Sequence, residues 1–145
     1  MANELVIPII DNMKDKQYPT PEEYTYWKSR ENRTFFIDYE VDECYDLIEL
    51  SLVIIQMNME ASIVKNPDPI YIFIHSYGGD FAQANYFCAL LQSSNISFVT
   101  IGMCVAMSAG FLIFLAGKRR YAFKHCQMLV HQGSASFAGS ASELE

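Results

Sequence analysis

From residue 33 onward the chain alternates short, almost wholly apolar runs with longer stretches whose apolar residues recur every three or four positions. The first pattern reads as buried parallel strand and the second as amphipathic helix. Residues 33–38 (Arg-Thr-Phe-Phe-Ile-Asp) predict a first strand, and residues 42–62 a helix with Leu47, Leu50, Ile54 and Met57 on one face. Asn66-Pro67-Asp68-Pro69 is a breaker, after which residues 70–74 (Ile-Tyr-Ile-Phe-Ile) predict a central strand and residues 81–91 a helix. The order then repeats: strand at 96–101, tight turn at 102–105, helix at 106–116, and short strands at 119–123 and 127–131. Upstream, Thr20-Pro21-Glu22-Glu23 has the form of a capping box with proline at the first helical position, so a short helix to about Arg30 is expected. Residues 1–18 read as an arm or loop. The expected organisation is an N-terminal arm with its short helix, 1–32, and an α/β domain, 33–145.

Composition narrows the class without changing this picture. At 145 residues and 51% hydrophobic, the chain has single-domain length and enough apolar side chains for a sizeable core. A net charge of −7 argues against nucleic acid as a partner, and the one dense basic cluster, Lys118-Arg119-Arg120, reads as a solvated turn after a helix. Cys44, Cys88, Cys104 and Cys126 have neither metal-site spacing nor the density of a secreted disulfide framework, so a cytoplasmic location is expected. No charged residue occurs between 81 and 117, which raises a membrane reading. Gln83, Asn85, Gln92, Ser93, Ser94 and Asn95 interrupt that stretch, and what remains starts as a strand and is too short to span, so no membrane segment is expected. The N-terminus lacks a signal-peptide pattern. His75, His125 and His131 are not set at metal-ligand spacing, so no metal or other cofactor is expected.

Two strand-to-helix corners carry candidate chemistry. Gly78-Gly79 lies between a strand and a helix, where freed backbone N–H groups at a helix N-terminus can hold a developing negative charge. The second corner falls in Gly102-Met103-Cys104-Val105-Ala106-Met107, with Ala106 expected to open the helix. Both corners belong to the carboxyl edge of an open α/β sheet, where such sheets place their sites. His131 ends an apolar strand and precedes a loop of small residues, 133–142. Ser108 is expected inside the helix, turned by about 200° from Ala106, as a small residue that permits close packing. Cys104 is expected as a small buried hydrophobe.

The ordered set His75-Ser76-Tyr77-Gly78-Gly79, Gly102-Met103-Cys104-Val105-Ala106-Met107, Lys118-Arg119-Arg120-Tyr121-Ala122 and Met128-Leu129-Val130-His131-Gln132 resembles the proteolytic subunit of the Clp protease. The resemblance covers residues 33–145, is similar to the amino-terminal two-thirds of that subunit, and has an N-terminal arm more like phage or prophage members. It implies the fold shared with crotonases, built of repeated β-β-α units and here stopping before the family's handle helix and catalytic aspartate. It implies a serine endopeptidase whose nucleophile position falls on Ala106, whose base is His131, and whose oxyanion amides belong to Gly78 and Met107. Gly79, Gly133, Ser134 and Ala135 are the implied substrate-binding residues, since the family adds an extended peptide as a strand there. The implied partners are copies of the chain in a heptameric ring that doubles in the full-length family, an ATP-driven AAA+ unfoldase, and unfolded polypeptide.

Two departures follow from that alignment. Ala106 has no hydroxyl for His131 to deprotonate, and neither Asp68 nor Asp80 occupies the family's position for the orienting acid. The expectation is an inactive, truncated form with serine replaced by alanine at 106. The alternatives are a natural non-catalytic ring or scaffold subunit, a crotonase-type acyl-CoA enzyme that uses two amides without a serine, and a Ser/Lys peptidase drawing on Lys118 or Lys124.

Overall fold

The computed structural model describes residues 19–42 and 45–132. The chain divides between Asn32 and Arg33 into two units. In the first, helix α1 (Pro21–Glu31) starts at the capping box expected from its sequence. The Thr20 hydroxyl accepts the Glu23 N–H, and the Glu23 carboxylate accepts the Thr20 N–H at 2.7 Å.

The second unit runs β1 (Thr34–Ile37), α2 (Tyr45–Ala61), β2 (Ile70–Ser76), α3 (Phe81–Ser93), β3 (Phe98–Met107), α4 (Ala109–Ala116), β4 (Arg119–Ala122) and β5 (Gln127–Leu129). The strands form one parallel sheet in the order β1-β2-β3-β4, with β5 also pairing β3. Parallel pairing fits the composition of β2 and β3, which are apolar on both faces. Strand β3 changes partner along its length. Its first half, from Val99 to Gly102, pairs with β4, and its second half, from Val105 to Met107, pairs with β5.

Helices cover one face of this sheet. Ile37, Ile70, Ile72, Ile74, Phe98 and Ala106 are buried in one core with Leu50, Ile54, Phe87, Leu91 and Ile113. The four residues expected on the inner face of α2 (Leu47, Leu50, Ile54 and Met57) are all buried. Ile54→Ala, at a fully buried position, is expected to cost about 2–5 kcal/mol through lost transfer energy and a residual cavity, seen as a lower urea midpoint at unchanged slope.

Polar groups inside the core are satisfied locally. The Ser51 hydroxyl donates to the Leu47 carbonyl at 2.7 Å, and that of Thr100 to the Phe114 carbonyl at 2.7 Å, which fastens the end of α4 to β3. No helix among the described residues is long and apolar enough to cross a membrane. Helix α4, the most apolar, is only eight residues long and is packed against β3 and α3.

Candidate active site at the carboxyl edge of the sheet

The second corner lies two residues later than the sequence predicts. Residues 102–105 are not a turn. Strand β3 continues through them to Met107, and the direction changes at Ser108. Gly102 sits within the strand because the space a Cβ would occupy is filled, with Cys126 Sγ 2.8 Å away. Ala106, expected to open the helix, is instead a fully buried strand residue paired with Ser76 on one side and Met128 on the other. Ser108 holds the corner in a backbone conformation of φ 50° and ψ −120°. A residue with a side chain adopts it only when its surroundings enforce it, at a cost of order 1–3 kcal/mol.

Those surroundings are specific. The Ser108 N–H donates to the Leu129 carbonyl of β5 at 2.8 Å, and the Ser108 carbonyl accepts from Phe111 and Leu112 in the first turn of α4. The residues two before and two after it, Ala106 and Gly110, are small. A Cβ on Gly110 would lie 3.0 Å from the Ser76 Cβ, so strand and helix pass too closely there for a larger residue. Small-x-Ser-x-small is the signature of a strained strand-to-helix corner that presents a hydroxyl. This is the signal that the sequence carried for Ser108, and in it Ala106 is a packing residue.

The glycine corner faces the same place. Gly78 and Gly79 have φ of 112° and 138°, a region that side chains rarely enter. A Cβ on Gly78 would stand 2.6 Å from the Ser108 Cβ and 3.0 Å from the Ala109 nitrogen. Gly78 is fully committed: its carbonyl accepts the Val41 N–H at 2.6 Å, and its own N–H donates to the buried Ser76 hydroxyl at 3.2 Å. Val41 in turn accepts from the Asp80 N–H, so the parallel Val41–Gly79 bridge is bonded through Gly78 and Asp80 and leaves the Gly79 N–H out. Among the described residues the N–H groups of Gly79 and of Ala109, the first residue of α4, have no acceptor. The unbonded amide at the first corner is thus that of Gly79, not of Gly78. At the second corner it is that of Ala109 at the helix N-terminus, whereas Met107 lies in β3 opposite Leu129.

His131 lies two residues past Leu129, whose carbonyl receives the Ser108 N–H, and so emerges at the same sheet edge. Its Nδ1 is 2.8 Å from the Gln132 carbonyl oxygen. A carbonyl only accepts, so Nδ1 carries the proton and Nε2 is left as the basic nitrogen. No hydrogen bond joins Ser108 to His131, and among the described residues no carboxylate bonds to His131. Asp80 caps α3 by accepting the Gln83 N–H at 2.8 Å, and Asp68 precedes β2 at the opposite end of the sheet. The Asp38–His75 pair, 2.7 Å apart at the ends of β1 and β2, is a feature that sequence reasoning missed. Cys104 is exposed, contrary to its expected burial. Gly133, Ser134 and Ala135 lie outside the described residues, and among the described residues no cluster could hold a metal.

Fold and site together define a parallel α/β protein with a strained serine corner, two free amides and a histidine at the carboxyl edge of its sheet. Comparison with known proteins places the family. The family model for Clp protease matches residues 24–145. A Clp protease proteolytic subunit from Arabis hirsuta is 33% identical over 107 residues, covering 72% of this chain and 52% of that protein. Proteolytic subunit 2 from Pseudomonas aeruginosa is 33% identical over 95 residues, 64% of this chain and 46% of its own. ClpP1 from Listeria monocytogenes superposes with a TM-score of 0.67 at 23% identity over 83% of this chain and 68% of that one, a likeness of fold. The chain belongs to the Clp protease family and has its fold. It spans about half the length of these curated relatives.

Proposed function

We propose that this chain is part of the proteolytic subunit of an ATP-dependent Clp-type protease, and that Ser108, not a serine missing from position 106, is its nucleophile. The observation that carries this reading is the strained Ser108 corner packed against Gly78, with two unpartnered N–H groups beside it. The Ser108 hydroxyl attacks the carbonyl carbon of a peptide bond while His131 Nε2 takes its proton. The Gly79 and Ala109 amides hold the oxyanion, the second aided by the α4 N-terminus. His131 then protonates the departing amine, leaving an acyl-enzyme on Ser108 that water hydrolyses by the same route. Each step needs His131 Nε2 within reach of Ser108, a contact that forms with substrate or assembly.

The relatives are named as proteolytic subunits of ATP-dependent Clp proteases. That supports unfolded polypeptide as substrate, an ATP-driven unfoldase as partner and a ring of subunits as the working form. The cysteine spacing supports a cytoplasmic setting.

Active-site labelling tests the reading. A fluorophosphonate should modify the assembled protein at Ser108, with labelling lost in His131→Ala. Labelling elsewhere, or none at all in an assembled ring, would overturn it. Ala106→Ser separates the two alignments. A buried strand position receives that hydroxyl, so the variant should gain no second labelled site and should lose about 1–3 kcal/mol of stability.

A further inference from the structure

We propose that Cys104 and Cys126 are a dithiol pair that a peroxide oxidises to an intrachain disulfide, tying the start of β5 to β3. The ladder between these strands places Val105 opposite Gln127 and Ala106 opposite Met128. One step back along the same register, Cys104 stands opposite Cys126. Neighbours on adjacent strands lie roughly 5 Å apart at Cα, within the span of about 4.4–6.8 Å that a disulfide bridges.

The Cys126 sulfur also sits close to this stretch of β3. Cys126 Sγ packs over Gly102, 2.8 Å from where a Cβ would be. Gly102 is two residues before Cys104 on β3, in a stretch whose register against β2 shifts between Gly102 and Ala106 and in which Gly102 is buried and Cys104 exposed. The two thiols also feel each other electrostatically: burial, and then the negative charge of a Cys104 thiolate, push the Cys126 thiol up.

Exposure assigns the order of events. Cys104 is exposed and Cys126 half-buried, so the peroxide meets Cys104 first. The Cys104 thiolate attacks one peroxide oxygen. An S–O bond forms, the O–O bond breaks, and the departing hydroxide leaves as water with the thiol's proton. The sulfur of Cys126 then attacks the resulting sulfenic acid. An S–S bond forms, the S–O bond breaks, and the second hydroxide leaves as water with the Cys126 proton. For hydrogen peroxide the sum is two thiols and one peroxide giving one disulfide and two waters. The inference stands whether or not Ser108 is a nucleophile, and its readout is the state of the sulfurs.

The test is made on the full chain with hydrogen peroxide. After alkylation and denaturation, free thiols should fall from the four of the sequence to two. Peptide mapping should join Cys104 to Cys126 within one chain, and dithiothreitol should restore all four. In Cys126→Ser, Cys104 should stop at a sulfenic acid that dimedone traps; in Cys104→Ser, no disulfide should form at Cys126. The proposal is overturned if four thiols persist, if the linkage joins two chains or uses Cys44 or Cys88, or if wild-type Cys104 accumulates as a trapped sulfenic acid.

Discussion

Ser108→Ala is expected to remove fluorophosphonate labelling altogether and to lower kcat on short fluorogenic peptides by roughly 10⁴ to 10⁶, with KM little changed. The expectation rests on position. Ser108 is the residue at the turn between β3 and α4, and its hydroxyl makes no capping bond to the helix. A hydroxyl with no structural bond can be deleted without loss of stability, so the variant should keep the wild-type urea midpoint to within about 0.5 kcal/mol. Ser108→Gly sharpens the point. It should be equally inactive yet more stable, by about 1 kcal/mol, because glycine relieves the strain at φ 50°. A site that gains stability on losing its working group is the trade expected of a functional corner. Retained labelling in Ser108→Ala would send the nucleophile elsewhere.

Gly78→Ala is expected to damage stability and catalysis together. The added methyl would enter the space of the Ser108 Cβ at 2.6 Å and the Met107 carbonyl oxygen at 2.8 Å, at a residue whose φ is 112°. Backbone strain alone costs about 1–3 kcal/mol. The only neighbours that can yield are the corner itself and its amides, so the loss of oxyanion alignment should lower kcat by a further 10²–10³ or so. The measurement is paired: the urea midpoint for the first effect, and the labelling rate at saturating probe for the second. A variant that unfolds more easily but is labelled at the wild-type rate would show that the glycine serves the fold alone.

Much of the architecture was legible because local patterns agreed with the tertiary solution. Leu47, Leu50, Ile54 and Met57 recur at helical spacing, and all four are buried. In residues 70–74, Ile70, Ile72 and Ile74 face the core and are fully buried, while Tyr71 and Phe73 fall on the other, less covered face. The corner was misplaced by two residues for a physical reason. Gly102 looks like a turn, yet it is an extended residue whose missing side chain makes room for Cys126 Sγ and the Phe114 ring. That requirement comes from residues 12 and 24 positions away, and nothing near Gly102 announces it. A turn placed that early puts Ala106 at the corner and Ser108 inside the helix, whereas the corner falls on Ser108. The Ala106-x-Ser108-x-Gly110 pattern was present but reads as a corner only once the close passage of Ser76 beneath Gly110 is known. The distinction between Gly78 and Gly79 is likewise invisible in sequence, because it depends on which amide Ser76 and Val41 leave free.

The change of partner along β3 decides where this protein can tolerate length variation. Between Ala122 and Gln127 the chain passes from one half of β3 to the other through a surface turn, and insertions there leave both ladders in register. Between Gln127 and His131 the arithmetic is different. Side chains alternate from face to face, so a single inserted residue would keep the strand and send the histidine to the wrong side of the sheet. Two stretches of similar length and exposure thus obey opposite rules: one is elastic, and the other is counted residue by residue.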